Sequence, residues 1–293
     1  LGGGWGGLSA AKSLRLMNKS CKITLLEKKK NFISCPMSNW VIGQIININD
    51  ITFNYEKFKK NNDIEVIFDE AKSINIDKKI ISTNNITLKY DKLILSPGIQ
   101  LDFSNIDGYT NNPDNSIYTA WKAGNETLNF SKEIKSIGDG DNILISIPLS
   151  PYRCPPGPYE RTSLIAAYIK KNKINAKVIV LDANQKVVSK GSLFKKAWNE
   201  LYKDIIFYYS DSQIRAIDNK AKIVFTDFEE YHYKILNIIP PQKAPNILFE
   251  TGLIQKDRKW APVNPYDFTS KYSKDIYIIG DSTDTSSIGS VPK

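Results

Sequence analysis

Histidine and cysteine are scarce in this sequence, and their scarcity excludes several kinds of active site. The 293 residues include one histidine, His232, and three cysteines, Cys21, Cys35 and Cys154. One histidine cannot build a histidine-rich metal centre, and three scattered cysteines cannot hold a four-cysteine zinc ion or iron–sulfur cluster. G-x-S-x-G and C-x-x-C-H are both missing, so neither a serine hydrolase nor haem attachment to this chain is indicated. Cys21 opens a strand-like stretch and is expected to serve there as a small apolar residue.

Arginine is also scarce, although the chain is basic. The formal net charge is +9, yet only five of the 40 basic residues are arginines. Proteins that read bases or clamp phosphates favour arginine for its two-pronged hydrogen bonding. The lysines, scattered among asparagines and isoleucines, are therefore interpreted as solvent-exposed faces and not as a nucleic-acid surface. No apolar run approaches the ~18 residues of a membrane-spanning helix, so no such helix is expected.

The N-terminal segment has the pattern of a dinucleotide-binding turn. Gly2, Gly4 and Gly7 form G-x-G-x-x-G, a helical pattern follows, and the strand-like CKITLLE ends in Glu27. Glycines permit a tight turn and close approach to a pyrophosphate, while an acid ~20 residues further on can accept the ribose hydroxyls. The strand that should precede the turn is reduced to Leu1, and any export signal would also lie before it, so the chain is expected to be incomplete at this end.

The C-terminal segment is predicted to complete the same domain. The apolar run KDIYIIGD leads into Gly280 and Asp281, and an aspartate at such a strand end is typical of contact with the ribityl hydroxyls of a flavin. An earlier strand, YDKLILSPGIQL, ends in a turn that contains Gly98. Together with the glycine turn, these features indicate one FAD-binding domain built from both ends of the chain, with the middle inserted.

The middle of the chain repeats the strand–helix–strand rhythm without a second glycine turn. NILISIPL and AKVIVLDAN read as strands, the second ending in Asp182 at the position of a ribose acid, and a helical pattern lies between them. The turn, SPYRCPPGPYE (150–160), packs four prolines around Cys154. Proline lacks the N–H that would bind a phosphate, and its ring blocks close approach. The turn is therefore predicted to have lost an NAD(P) site and to present a thiol at a fixed place.

The predicted fold class is α/β, with two Rossmann-like three-layer dinucleotide-binding domains truncated at both ends. The FAD-binding domain is assigned to residues 1–107 and 249–293, and the second, inserted domain to residues 108–248. A C-terminal domain is expected to be absent from this chain.

Several motifs together resemble the flavoprotein subunit of flavocytochrome c sulfide dehydrogenase. They are RCPPGPYER (153–161), FISCPMSNWVIG (32–43), NIIPPQKA (237–244), the glycine turn and IIGD. The resemblance implies that Cys35 carries FAD through a thioether to the flavin 8α carbon, and that Cys154 lies beside the isoalloxazine. It further implies that Cys154 forms, with a C-terminal cysteine that this chain does not reach, the redox-active disulfide that sulfide attacks.

The same resemblance implies a partner and further site residues. The partner is a c-type cytochrome subunit, which carries the haem and takes the electrons, typically in the periplasm. Ala71 is a further cofactor-binding candidate, and Lys293 matches a stretch near the pyrimidine edge of the flavin. Glu160 is a candidate for moving protons near the sulfur, although an acid near a helix N-terminus is equally well explained by the helix dipole.

Three alternatives to a sulfide dehydrogenase are left open by the residues. A sulfide:quinone oxidoreductase would share the fold and the disulfide chemistry but would need an apolar membrane-docking segment. An NAD(P)H-dependent reductase would need the second glycine turn. A non-catalytic flavin electron-transfer scaffold would be favoured if the resolving cysteine were also absent from the complete gene product.

Overall fold

A computed structural model of the chain describes residues 1–104, 106–109 and 117–284. These residues form seven α-helices: α1 Trp5–Met17, α2 Ser38–Ile42, α3 Glu56–Asn62, α4 Asn125–Lys135, α5 Gly157–Lys171, α6 Gly191–Leu201 and α7 Asn246–Glu250. None of these described helices has the length and apolarity needed to cross a membrane.

The strands of the described residues are mostly short. They are β1 Thr24–Glu27, β2 Asn31–Ile33, β3 Thr52–Asn54, β4 Glu65–Phe68, β5 Ser73–Asn75, β6 Ile80–Ser82, β7 Thr87–Lys89, β8 Leu93–Leu95, β9 Gln100–Leu101, β10 Ile117–Tyr118, β11 Asn142–Ile147, β12 Lys177–Asp182, β13 Ile206–Tyr209, β14 Ala216–Asp218, β15 Ile223–Phe225, β16 Glu230–His232, β17 Ile235–Ile238, β18 Gln242–Lys243, β19 Thr269–Ser270 and β20 Ser273–Ile278. Two 3-10 helices lie at Ile48–Ile51 and Gly280–Ser282.

The chain divides into two compact units. The first unit comprises Leu1–Ser34, Thr52–Gln100 and the chain from Gln242 onward, and the second comprises Cys35–Ile51 and Leu101–Pro241. The domain limits predicted at residues 107 and 248 stay predictions. The segment Cys35–Ile51, which the sequence placed in the FAD-binding part, belongs to the second unit because its helix α2 buries Val41 and Ile42 and packs on α4 and α5.

The first unit holds parallel strands on both sides of the N-terminal residues. β1 pairs with β4, and β8 pairs with β20, in parallel register. The N–H of Gly2 donates to the carbonyl of Leu26 in β1 (2.9 Å), and the N–H of Ser96 donates to the carbonyl of Leu1 (2.8 Å). The backbone at Leu1 and Gly2 therefore joins the two strand pairs, and the glycine turn leaves the sheet at the carboxyl ends of its strands.

Helix α1 packs on this sheet through residues spaced three or four apart, as the sequence pattern predicts. Leu8, Ala11 and Leu14 lie on the face that joins a small core. The buried residues of that core are Ala11, Ile23, Leu25, Tyr55 and Ile64. Cys21 lies exposed before β1 begins, so its expected role as a small apolar strand residue is wrong, because pairing with β4 begins only at Thr24.

The second unit is built on a five-stranded parallel sheet with the order β10-β17-β11-β12-β13. The central strand β11 pairs with β12 and β17, and its residues Ile143–Ile147 are buried. Strands covered by helices on both faces are expected to be continuously apolar, which explains the run NILISI. Helix α5 makes the crossover from β11 to β12, so the proline turn lies at the carboxyl end of β11.

Candidate functional site

The glycine turn of the first unit is formed by backbone contacts too close for side chains. Gly2 has φ +96°, and a Cβ placed there would lie 2.2 Å from the carbonyl oxygen of Ser96. A Cβ at Gly7 would lie 1.8 Å from the carbonyl oxygen of Gly2. A Cβ at Gly4, by contrast, would meet none of the described atoms within 4 Å. Gly2 and Gly7 are thus explained by packing within the protein, whereas the open space at Gly4 fits the close approach of a phosphate group.

The start of α1 has features that suit an anion. The helix begins at Trp5 without a side-chain cap and without an acid in its first turn, so the positive end of its dipole is not neutralised by its own first-turn side chains. Glu27 lies beside the turn, where its carboxylate accepts the N–H groups of Gly3 (2.5 Å) and Lys29 (2.8 Å). The Tyr55 hydroxyl donates to the carbonyl of Gly3 (2.9 Å), and burial together with the Glu27 charge raises the pKa of Tyr55.

Ser96, which was not predicted as a site residue, is the point where three glycine-bearing segments meet. A Cβ at Gly6 would lie 2.5 Å from the Ser96 hydroxyl oxygen, and one at Gly280 would lie 3.4 Å from it. Gly280, with φ +75°, begins the 3-10 turn that contains Asp281. The turn after β8 also contains Gly98, which has φ +73° and no described atom within 4 Å of an added Cβ.

Two predicted cofactor-binding residues lie further away or outside the described chain. Ala71 follows β4 and is half-buried, two residues after Asp69, whose N–H donates to the carbonyl of Glu27 (3.1 Å). Lys293 lies outside the described residues. The structure therefore brings Gly2, Gly4, Gly7 and Glu27 together at the turn, and it places Gly98 and Gly280 at neighbouring strand ends.

In the second unit, the proline turn holds Cys154 in an unusual backbone conformation. Cys154 has φ +58°, in the left-handed region that a residue with a side chain seldom adopts. Its carbonyl accepts the N–H of Gly157 (2.9 Å), and α5 starts there with a proline in its first turn. A Cβ at Gly157 would lie 2.8 Å from Cη2 of Trp121 and 3.1 Å from Sγ of Cys154. The thiol and the indole edge are therefore neighbours, and only glycine fits between them.

Cys35 lies at the start of the segment that forms α2. It is half-buried, and its Sγ accepts the N–H of Ala123 at 3.4 Å. Its carbonyl accepts bonds from the N–H of Ser38 (2.9 Å) and from the Ser38 hydroxyl (2.7 Å). These contacts hold the backbone at Cys35, and the residue as a whole is only half-buried.

Asn39 connects the segment of Cys35 to the segment of Cys154, although it was not predicted as a site residue. Its Nδ2 donates to the Glu160 carboxylate (2.8 Å) and to the carbonyl of Gly157 (3.0 Å). Its Oδ1 accepts the Nε–H of Arg161 (3.0 Å). Glu160 also accepts a long bond from Trp40 Nε1 (3.4 Å). Glu160 is therefore held in place by side chains from α2 and is not simply a solvated acid, but it also lies in the first turn of α5, where the dipole favours it.

Arg161 is the largest of the fully buried side chains in the described residues, with 1% of its surface exposed. Its Nη1 donates to the carbonyl of Thr119 (3.0 Å) and to Oδ1 of Asn237 (2.9 Å), and its Nη2 donates to the carbonyl of Ala120 (2.7 Å). Burial lowers the pKa of Arg161 to about 10, which leaves it charged at neutral pH. The available sequence signal was its place inside the motif RCPPGPYER in a chain with few arginines.

Asp182, at the position of a ribose acid, is enclosed by its own chain. It is completely buried, and its Oδ2 accepts the hydroxyls of Tyr159 and Tyr208, both at 2.8 Å. Its Oδ1 accepts Nδ2 (2.7 Å) and the N–H (3.0 Å) of Asn184. Burial raises the pKa of both tyrosines. Tyr159 comes from the first turn of α5, so a side chain of the proline turn donates one of the hydrogen bonds that the Asp182 carboxylate accepts.

Comparisons with known proteins point to one family. The family described as "Sulfide dehydrogenase [flavocytochrome c] flavoprotein chain, central" matches residues 127–240. The pyridine nucleotide-disulphide oxidoreductase family matches residues 1–136. A sulfide dehydrogenase [flavocytochrome c] flavoprotein chain from Chlorobaculum thiosulfatiphilum is 51% identical over 41 residues, which are 14% of this chain and 85% of that sequence.

Solved structures share the fold at low sequence identity. The sulfide:quinone oxidoreductase from Aquifex aeolicus has a TM-score of 0.84 and 20% identity, over 97% of this chain and 67% of that chain. CoADR-RHD from Bacillus anthracis has a TM-score of 0.77 and 17% identity, over 96% and 50% of the two chains. An NAD-dependent persulfide reductase from A. fulgidus has a TM-score of 0.76 and 17% identity, over 96% and 52%. These likenesses and the parallel sheets confirm the predicted α/β fold of Rossmann type.

Proposed function

This chain belongs to the family of flavoprotein chains of flavocytochrome c sulfide dehydrogenase, and we propose that it oxidises sulfide through Cys154 and passes the electrons to a c-type cytochrome. The observation that carries the proposal is the proline turn. It holds one thiol in a left-handed backbone conformation, beside Trp121 and Gly157, where a related fold would hold a phosphate-binding glycine turn. Backbone conformations of this kind are costly and cluster at functional sites.

FAD is proposed as the cofactor of the first unit. Gly4 and the uncapped start of α1 would hold its pyrophosphate, Glu27 its ribose, and Asp281 its ribityl chain. Cys35 is proposed to carry the flavin through a thioether. Acid-precipitated protein should then keep its yellow colour in the pellet, and the Cys35→Ser variant should release FAD into the supernatant. Release of FAD from the unchanged protein would remove the covalent assignment but leave the other contacts standing.

The chemistry proposed at Cys154 is thiol–disulfide exchange. With Cys154 oxidised in a disulfide to a second cysteine, hydrosulfide attacks one sulfur and forms an S–S bond, while the other sulfur leaves as a thiolate. The attacked cysteine then holds the substrate sulfur as a persulfide. A bound flavin would accept the electron pair of the thiolate and release the electrons singly. Glu160, held by Asn39 and Trp40, is proposed to take the persulfide proton.

We propose that the second unit does not bind NAD(P), although several structural neighbours are described as NAD-dependent or as bound to NADH or NADPH. The prolines of the turn offer few N–H groups to a pyrophosphate. The Asp182 carboxylate accepts four hydrogen bonds from Tyr159, Tyr208 and Asn184, so a ribose hydroxyl would have to displace the buried Tyr159 or the half-buried Tyr208. The electron acceptor is therefore proposed to be a protein, and the words flavocytochrome c in the relative's name support a c-type cytochrome subunit. A periplasmic location is proposed together with that partner.

The test is the rate at which sulfide bleaches the flavin band in anaerobic stopped-flow mixing of the full-length protein. Cys154→Ser should keep the fold and the flavin but lose flavin reduction by sulfide, because no sulfur remains to form the persulfide. Cys21→Ser is the matched control, since Cys21 is an exposed thiol with no part in the proposed reaction, and it should bleach like the parent. A Cys154→Ser variant that bleaches as fast as the parent would show that Cys154 is structural and that the proposed function is wrong.

A further inference from the structure

Arg161 is a buried cation whose hydrogen bonds go to uncharged groups. Its acceptors are the side-chain oxygens of Asn39 and Asn237 and the carbonyls of Thr119 and Ala120. A charge buried among neutral dipoles costs folding free energy, and apolar replacements of buried ionic groups are often neutral or stabilising. Stability alone therefore does not account for an arginine at this position.

The guanidinium of Arg161 and the thiol of Cys154 both lie beside the indole of Trp121. The guanidinium carbon of Arg161 is 5.3 Å from the centre of the Trp121 ring. A Cβ added at Gly157 would lie 2.8 Å from Cη2 of Trp121 and 3.1 Å from Sγ of Cys154, so the indole and the thiol approach the same point. Arg161 and Trp121 are both buried, so the field of the cation is weakly screened there.

We propose that Arg161 is the fixed positive charge of the sulfur site, which stabilises the thiolate of Cys154 and the incoming hydrosulfide anion. The proton of the thiol goes to solvent, and the remaining charge on sulfur is balanced by the guanidinium. The inference rests on the proposed function for its purpose, because attack and departure in the exchange reaction both involve sulfur anions. The carbonyl and amide partners of Arg161 keep the cation from swinging away, so its geometry does not have to reorganise when the sulfur ionises.

Other ionisable groups around Arg161 determine how strongly its positive charge acts on the Cys154 thiol. Glu126 of α4 and Glu160 of α5 both interact with it, and each offsets part of its field. Cys154 is the third group that interacts with its charge, which agrees with the packing through Trp121. Tyr152, beside Cys154, stays neutral because burial raises its pKa. Arg153 is a second cation next to Cys154 in the chain, so it has to be tested separately.

The test is the pH dependence of alkylation of Cys154 by iodoacetamide in the full-length flavoprotein, after phosphine reduction and with peptide mapping by mass spectrometry. The midpoint for the parent is expected below the ~8.5 of an ordinary thiol. Arg161→Met should raise it by up to about 1 pH unit, because the variant removes a cation that favours the thiolate, and opposite charges within ~4–6 Å shift a pKa by ~1–3 units. Arg161→Lys, which keeps a cation, should give a midpoint between the two.

Matched variants separate the charge from the packing role of the arginine. Arg153→Met removes a half-buried cation and should shift the midpoint less than Arg161→Met. Asn39→Asp places a carboxylate on the Nε–H of Arg161 and should raise the midpoint with the arginine still in place, which decides the matter if Arg161→Met does not fold. A parent midpoint at or above ~8.5, or equal midpoints for the Lys and Met variants, would overturn the inference.

Alkylation also separates this inference from the proposed function. It consumes no sulfide, so a midpoint that follows Arg161 in a protein that sulfide does not reduce would defeat only the function. Conversely, sulfide-driven bleaching with an ordinary thiol midpoint would leave the function standing and defeat the role of Arg161. The midpoint should change little between low and high salt, since a cation with 1% exposure is poorly screened by ions.

Discussion

The glycine turn of the first unit and the proline turn of the second occupy the same place in a strand–turn–helix unit, but they differ in what they leave available. At the glycine turn, the helix starts without a side-chain cap and Gly4 faces open space. At the proline turn, Glu160 stands in the first helical turn and Tyr159 fills the hydrogen-bonding capacity of Asp182. The glycine turn keeps backbone N–H groups and space for a ligand. The proline turn keeps neither and presents a sulfur atom instead.

The difference teaches that a Rossmann-like crossover is a scaffold whose chemistry is set by the residues of its turn. Parallel strands bring their carboxyl ends to one edge of the sheet. The turn at that edge therefore lies beside the last residue of the next strand. In the first unit that residue is Glu27, whose carboxylate accepts the N–H of Gly3 in the turn and the N–H of Lys29 just beyond its own strand. In the second it is Asp182, which bonds two tyrosine hydroxyls and Asn184. The predictions below test whether these two acids and their turns are as different as they look.

The largest effect is expected from a methyl group at Gly7. Gly7→Ala places a Cβ 1.8 Å from the Gly2 carbonyl oxygen, so α1 has to move away from the sheet. Overpacking of this kind costs ~1–3 kcal/mol or more, and FAD binding should be lost with the turn. Gly4→Ala is the matched control in the same turn, because its Cβ meets no described atom within 4 Å.

Gly4→Ala should fold like the parent in urea denaturation but retain less FAD after dialysis of a Cys35→Ser background. If Gly7→Ala retained FAD and parental stability, the account of the turn would be wrong. If Gly4→Ala retained FAD as tightly as its background, the open space at Gly4 would not be a phosphate site.

A smaller effect is expected from removal of the Asp182 carboxylate. Asp182→Ala removes the acceptor of the buried Tyr159 hydroxyl and of the half-buried Tyr208 hydroxyl, and a buried unsatisfied group costs ~1–3 kcal/mol. We expect the free energy of unfolding in urea to fall by about 1–2 kcal/mol. Glu230→Ala, an exposed acid of the same unit, should change it by no more than ~0.5 kcal/mol. Equal effects of the two substitutions would mean that the network around Asp182 contributes nothing to stability.

The smallest effect is expected from nicotinamide nucleotides. NADH and NADPH should neither bleach the flavin band nor shift the thermal unfolding midpoint. The second turn offers few N–H groups, and the Asp182 carboxylate already accepts hydrogen bonds from Tyr159 and Asn184. Sulfide in the same cuvette serves as the positive control for bleaching. Stoichiometric reduction of the flavin by NADH would erase the contrast between the turns and favour the NAD(P)H-dependent reductase that the sequence left open.

Much of the glycine turn could be predicted because its rules are local. Gly2, Gly7 and Glu27 lie within one strand–helix–strand unit, so spacing alone places them together. The same rhythm predicted the parallel sheet of the second unit and its crossover helix. The assignment of Cys35–Ile51 to a unit could not be predicted in this way, because the buried residues of α2 find their partners on α4 and α5, far along the chain.

By itself, the sequence determined the fold class, the position of each turn and the exchange of glycines for prolines around Cys154, since these follow from backbone conformational preferences and from residue periodicity. Only the tertiary structure decided which buried polar groups meet. Asn39 and Arg161 are 122 residues apart, and Tyr159 and Asp182 come from different elements. No local pattern specifies such pairs, because a buried polar group is stabilised by whichever partner the packing of helices and strands brings within hydrogen-bond distance.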